Sequence, residues 1–356
     1  MNYLGIDVHS KTTVWHLLDT TGETVKRGKV PTTGPALREL LAELTADGEF
    51  IVGQEVGTMT YFVHDLVTAA GIKILSFNAQ HLRMIAASRK KTDRRDAYWI
   101  AKALQAGMTP HPVYIPTGEI RLLRSLLAQR QSIVRDRKRW LVRAKSHLRA
   151  CGRDATSSRI IPRLIERATE HPDGLEPHVL ESLKMCERMA LSASLELKRI
   201  EATLAKTVKE NDAIARLRTI PGVGPLTAAT IYAWIGEVDR FPNARMLASY
   251  AGLVPSVSQS GGSIRMGGIT KQGSGLLRST LVQAAHVMMF RCRTPEAEPL
   301  QAIASRVHKS RARRKIAVVA AARHILRIAY YILRDGTVYD PSKVRKMDAA
   351  EETSAA

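Results

Sequence analysis

Between Glu119 and Ala150 the chain keeps a helical period without a break, and no other stretch constrains the fold as much. Leu122, Leu123, Leu126, Leu127, Ile133, Val134, Leu141, Ala144 and Leu148 recur at three- and four-residue spacing, which marks one apolar stripe on a long amphipathic helix. The rest of the surface carries Arg121, Arg124, Arg130, Arg135, Arg137, Lys138, Arg139, Arg143, Lys145 and Arg149. Against them stand only Glu119 and Asp136, a local charge near +8 over 32 residues. Like charges on a helix face repel where no acids are interspersed, and a phosphate backbone relieves that repulsion. The run therefore reads as a nucleic-acid-binding helix, with Arg130, Arg137, Lys138, Arg143 and Lys145 among its contacts. The whole chain points the same way: 54 lysines and arginines against 33 aspartates and glutamates give a net charge of +21, and a clustered excess of that size calls for a polyanionic partner.

Around this helix the 356 residues divide by periodicity. Residues 1–110 open with three short β-rich runs, "YLGIDV", "TTVWHLLD" and "ETVKRGKV", which predict an antiparallel meander. The helix "GPALRELLAEL", the strand "FIVGQEV", a helix from about Tyr61 to Ala70 and the strand "IKILSF" follow, so a mixed sheet with helices on its faces is expected. Residues 111–212 hold the basic helix, a linker-like stretch from His171 to Pro177, and a second amphipathic helix from roughly Val179 to Lys209. Together these predict an antiparallel coiled-coil hairpin that also serves dimerisation. Residues 213–335 read as a mostly helical, Gly- and Ala-rich domain, and 336–356 as a disordered tail. The expected class is α/β plus α. Three cysteines far apart (Cys151, Cys186, Cys292) predict neither a disulfide framework nor a zinc site. The start "MNYLGIDVHS" reads as a strand, and no apolar run approaches the ~20 residues of a membrane span, so a cytoplasmic, nucleoid-associated protein is expected.

Four acids stand where such a sheet would expose them. Asp7 lies inside an apolar strand, and Glu55 ends another. An unpaired carboxylate there costs several kcal/mol unless it meets a cation. Asp93 and Asp96, in "KKTDRRDAYWIAKAL", share one face at the start of a helix capped by Thr92. Arg83, Arg89, Lys90, Lys91, Arg94 and Arg95 surround the pair in sequence. Four converging carboxylates require cations, and hard oxygen ligands select Mg2+ or Mn2+. Taken singly, each acid also fits a structural role, as a helix-dipole partner or a lysine partner.

The motifs "GIDVHSK", "GQEVGTMTY" and "KKTDRRDA" resemble, in order and spacing, the DEDD motif of insertion-sequence transposases of the Piv/MooV type. That resemblance implies a ribonuclease-H-like domain similar to the Holliday-junction resolvase RuvC. It makes Asp7, Glu55, Asp93 and Asp96 the metal-binding tetrad.

Further along, "RTIPGVGPLTAATIYAWIG" reads as a helix-hairpin-helix in which Gly222 and Gly224 form the turn and backbone N–H groups grip a phosphate. The order "DRFPNARMLASYAGLVPS", "SVSQSGGSIRMGG", "ITKQGSGLLRSTLVQAA" resembles the second conserved block of the same transposases. The resemblance thus runs from about Tyr3 to Asp335. It implies a loop serine as nucleophile and a phosphoserine intermediate with metal assistance. Ser260, directly before Gly261 and Gly262, holds the matching position, with Ser256, Ser258 and Ser263 as competitors. Flanking glycines permit close approach to a phosphodiester, and Arg265, Lys271 and Arg278 are placed to stabilise its charge. The resemblance further implies a structured bridge RNA that pairs with donor and target DNA, and a homo-oligomer, a dimer or a tetramer when the DNA sites are paired. Two other readings fit the residues alone: a metal-dependent nuclease or junction resolvase without a covalent intermediate, and a non-catalytic nucleic-acid-binding protein.

Overall fold

The alternating runs at the start of the chain form the strands expected of them, β1 (Asn2–Val8), β2 (Thr12–Leu18) and β3 (Thr24–Pro31), paired antiparallel in sequence. The structure, a computed structural model, describes residues 1–78, 93–108, 111–153, 163, 166, 175–260, 263–311 and 314–344. Contacts divide the chain into two units, Met1–Pro116 and Thr117–Ala356. Arg83, Arg89, Lys90, Lys91, the proposed cap Thr92, the linker residues 171–174 and the glycines 261 and 262 lie outside the described residues.

In the first unit the meander is followed by α1 (Gly34–Ala46), β4 (Phe50–Glu55), α2 (Thr60–Ala69), β5 (Ile74–Phe77) and α3 (Asp93–Gln105). β4 and β5 join in parallel, giving the order β3-β2-β1-β4-β5. The two-residue side-chain period sends Leu4, Ile6, Trp15, Leu17 and Val52 to one face. There they pack with Leu37, Leu40, Leu41 and Leu44 of α1 and Val63 and Val67 of α2. Each fully buried leucine contributes about 1.5–3 kcal/mol.

The opposite face receives α3, and two glycines let it in. Gly5 and Gly53 are register partners on the central parallel strands. A Cβ on Gly5 would run into the Ala97 carbonyl and the Ala101 amide, and one on Gly53 would lie 2.7 Å from Ile100 and Leu104 side-chain atoms. The helix backbone therefore rests against the strand backbone, with Leu104 joining Ile51 and Phe77 in a small core beside it.

The second unit begins with α4 (Gly118–Ala150) and α5 (Pro177–Val208). Leu123 and Leu127 of α4 share a core with Leu204 of α5, and Ala144 and Leu148 share another with Leu183 and Cys186. The start of one helix thus meets the end of the other, an antiparallel pair. The buried stripe on α4 is narrower than the leucine spacing suggests: Leu122 is 50% exposed. Then come α6 (Asp212–Leu217), α7 (Pro225–Ile235), α8 (Ala244–Tyr250), β6 (Pro255–Ser260), β7 (Ser263–Ile269), α9 (Gly275–Phe290), α10 (Glu298–Arg311) and α11 (Arg314–Asp335). By length and composition α11 is apolar enough to cross a membrane, but 67% of its most apolar stretch is buried inside the unit, so its apolarity is that of a core helix. Tyr339 and Val344, in the stretch expected to be tail, are buried in the same core. Tyr339 donates its hydroxyl to the Glu296 carbonyl at 2.8 Å and its backbone N–H to Thr219 Oγ1 at 2.9 Å. Residues 345–356 lie outside the described residues.

Candidate functional site

Asp7 is the penultimate residue of β1 and Glu55 the last of β4. Strand alternation places both on the face of Gly5 and Gly53, the face that α3 covers. The register Ile6↔Gln54 on these parallel strands makes Asp7 and Glu55 neighbours at their carboxyl ends. The direction of α3 follows from its other end: Gln105 Nε2 donates to the Thr20 carbonyl at 3.1 Å, in the β2–β3 turn beside the start of β1. Asp93 and Asp96, in the first turns of α3, therefore lie toward the strand ends that carry Asp7 and Glu55. Asp96 is half-buried; the side chain of Asp93 is outside the described residues. Among the described residues no three His, Cys, Asp or Glu side chains are gathered closely enough to hold a metal ion. The donor chemistry nevertheless fits a hard divalent cation, since every ligand in the set is a carboxylate.

Sequence reading passed over His9. Its Nε2 lies 3.1 Å from Asp7 Oδ2, with the two side chains 49% and 15% exposed. The signal was present in "GIDVHSK" as an acid and an imidazole two residues apart. Beneath the face, His16 is buried, shares a hydrogen bond of 2.9 Å with Thr24 Oγ1, and meets Tyr98 of α3 edge-on at 5.1 Å. Burial, with a smaller contribution from Arg27, holds its pKa below the ordinary imidazole value of 6.5.

In the second unit the serine stretch is a two-stranded antiparallel ribbon rather than a loop. The register runs Val257↔Met266, Ser258↔Arg265, Gln259↔Ile264 and Ser260↔Ser263, leaving two glycines between the strands. A Gly-Gly pair between alternating runs is a hairpin signal, and reading the stretch by composition alone hid it. Ser258 and Arg265 are thus cross-strand partners, as are Ser260 and Ser263, and Val257 and Met266 form a pair between them and the base. Val257 and Met266 are 58% and 68% exposed. Ser256 Oγ donates to the Gly268 carbonyl across the ribbon at 3.1 Å, which engages the hydroxyl of one competing serine. Arg265 is exposed. Lys271, also exposed, takes a left-handed φ of 57°, a conformation that costs a lysine about 1 kcal/mol or more.

The remaining basic candidates divide by what they touch. Arg130 donates to Glu201 Oε1 across the helix pair, at 2.8 Å from Nε and 2.6 Å from Nη2. Arg143 covers the Trp140 ring at 4.5 Å. Lys138 is exposed, as are Arg135, Arg139 and Arg149, while Arg137 and Lys145 are half-buried. Arg124 donates to the Ala233 and Trp234 carbonyls at the end of α7, at 2.7 and 3.1 Å, and is a helix-capping residue. Gly222, with φ 82°, is held against α9: a Cβ there would stand 2.6 Å from the Ala284 carbonyl oxygen and 2.8 Å from the Met288 nitrogen. Packing alone thus demands a glycine at 222. Gly224 caps α7 and has open space on its Cβ side.

Residues 4–152 match a transposase model of the DEDD kind associated with IS110, and residues 214–301 match the transposase IS116/IS110/IS902 family. A transposase for insertion sequence element IS1328 from Yersinia enterocolitica is 25% identical over 340 residues, 94% of this chain and 98% of the relative. A transposase for insertion sequence element IS1111A from Coxiella burnetii is 29% identical over 223 residues, 62% of this chain and 60% of the relative. A pilin gene-inverting protein from Moraxella bovis is 34% identical over 135 residues, 38% of this chain and 41% of the relative.

Proposed function

Because this chain belongs to the IS110-type DEDD transposases and is an insertion-sequence transposase acting on DNA, we propose that it cuts and rejoins strands through a phosphoserine intermediate on Ser260. The observation that carries the metal-dependent part is the placement of Asp7, Glu55 and the first turns of α3 at one end of one sheet face. The meander followed by parallel strands supports the RuvC-like, ribonuclease-H-like reading of that unit. Asp7, Glu55, Asp93 and Asp96 would hold Mg2+ or Mn2+, which supplies Lewis-acid stabilisation of charge on the phosphate. His9 orients the Asp7 carboxylate.

Ser260 is the nucleophile of this reading because it stands at the ribbon end, beside two glycines that admit a phosphodiester. Arg265, the register partner of Ser258 two steps along the ribbon, offers positive charge to the phosphate, as does Lys271. A bond forms from Ser260 Oγ to phosphorus while the bond from phosphorus to one deoxyribose oxygen breaks. That oxygen gains a proton and the serine loses one. A strand hydroxyl from the second site then reverses the exchange, so that phosphodiester replaces phosphodiester and no energy source is consumed.

The exposed basic surface of α4 supports a structured guide RNA as partner beside donor and target DNA, held through backbone and shape; Gly224 and the turn before α7 offer N–H groups to a phosphate. Met185, Met189, Leu191 and Leu195 on α5, 43–58% exposed, support assembly into a dimer or tetramer through the helical arm. Such an enzyme acts in the cytoplasm, on the nucleoid.

Purified protein incubated with paired DNA sites, cognate RNA and Mg2+ should give a covalent protein–DNA adduct that mass spectrometry places on Ser260. Ser260→Ala should give none. Strand cleavage that survives in Ser260→Ala without an adduct would assign the chain to water-using nucleases instead.

A further inference from the structure

The ribbon that carries Ser260 is only two strands wide, and a lone two-stranded ribbon is marginally stable in water. Something must fix its base, and the base is unusually interlocked. Thr270 donates its N–H to the Val254 carbonyl at 3.0 Å, and Lys271 to the Gly252 carbonyl at 3.3 Å. Gly252 (φ 66°) and Gly273 (φ 71°) adopt left-handed backbone. A Cβ on Gly252 would collide with the backbone of Gln272, and one on Gly273 with the Tyr250 carbonyl. The two legs of the ribbon therefore cross backbone to backbone, and Lys271 sits at the crossing in its left-handed conformation.

Arg278, in the second turn of α9, reaches over this crossing. Its Nη1 lies 3.1 Å from the Ala251 carbonyl oxygen, on the leg that enters β6, and 2.5 and 3.4 Å from those of Gln272 and Gly273, on the leg that leaves β7. One guanidinium thus bridges both legs from a helix whose Leu277 and Leu281 belong to the core of the unit. A charged donor on backbone carbonyls makes a stronger bond than a neutral one, and three acceptors around one nitrogen fix its direction. The Nη1 end of the guanidinium is thereby turned toward the protein backbone.

We propose that Arg278 is a positioning residue: it ties the base of the β6–β7 ribbon to the helical core and thereby sets where Ser260 and Lys271 stand, without itself contacting DNA. The inference rests on the reading of the ribbon as the nucleophile's platform.

Three measurements on the full chain test it. Amide hydrogen exchange in the free protein should show Thr270 and Lys271 losing at least tenfold protection in Arg278→Ala, with the amides of α9 and α11 unchanged. DNA affinity measured across salt concentrations should keep its slope, because no phosphate contact is lost. Adduct formation at saturating DNA should fall at least tenfold. Arg278→Lys keeps a charged donor on a side chain one bond too short to reach where Nη1 stands, so it should match the alanine variant in exchange and in adduct rate.

Unchanged exchange in both variants would overturn the proposal. So would a salt slope that falls by about 0.9 in Arg278→Ala, or a lysine variant that regains the adduct rate without regaining protection, since each marks a phosphate contact. If instead Ser260→Ala still forms the adduct, the nucleophile reading fails while the exchange result on Arg278 stands, so the two failures are told apart.

Discussion

At the scale of single residues, the legible features were those that break a pattern. Asp7 and Glu55 interrupt or end apolar strands, and the helical pair Asp93 and Asp96 repeats at a one-face spacing, so all four stood out from their neighbours. Ser256 and Ser260 look alike in sequence; only the ribbon register shows that the Ser256 hydroxyl is engaged by the Gly268 carbonyl. Arg124 and Arg278 could not be told from phosphate contacts, because their acceptors are backbone carbonyls brought near by the fold. Asp7→Asn keeps the shape of the side chain and removes its charge, and should lower strand cleavage in Mg2+ by at least about 100-fold while DNA binding persists; cleavage within threefold of wild type would remove Asp7 from the metal site. His16 gives a pH prediction. Its folded pKa lies below 6.5, so the unfolded chain takes up the proton first. Stability is whole above pH 6.5 and declines as pH falls through the folded value. Urea midpoints at pH 7.5 and 5.5 should differ more for wild type than for His16→Gln.

At the scale of elements, the meander, the strands β4 and β5, and the two long helices fall where period-two and period-3.6 patterns place them. The ribbon was missed because serines and glycines dominate it, and its alternation is carried by Val257, Ile264 and Met266 alone. The seat of α3 was missed for a related reason: a glycine gives no sign in sequence of what lies against it. Gly5→Ala should destabilise the chain by about 1–3 kcal/mol, since the added methyl meets helix backbone and no side chain can swing aside. Denaturant titration checks this, and a variant as stable as wild type would show that α3 is free to lift. The α4–α5 pair offers a contrast. Arg130 is 21% exposed and its partner Glu201 45%, a pairing worth about 0.2–1 kcal/mol near the surface. Arg130→Ala should lose that much stability and leave the salt slope of RNA binding unchanged, whereas Arg135→Ala or Lys138→Ala should each reduce it by about 0.7–0.9.

At the scale of the whole molecule, two units with separate cores carry the two halves of the proposed chemistry, carboxylates in one and serine in the other. The chain beyond α11 belongs to the second unit: Tyr339 is buried and bonded to both Glu296 and Thr219. Sequence reading took that stretch for tail because Val338, Tyr339 and Val344, set among turn-forming and polar residues, make no periodic pattern. Removing residues 336–356 should therefore cost the second unit several kcal/mol, on the scale of deleting a core aromatic, about 3–5 kcal/mol. The glycine seat of α3 bears on how such a chain can change over generations. Where a helix rests on a sheet through side chains, each substitution in the interface resets its height, and neighbouring positions must follow. Here, at Gly5, peptide geometry sets the height, so a change of volume among the leucines of α1 on the far face leaves the seat of α3 where it is.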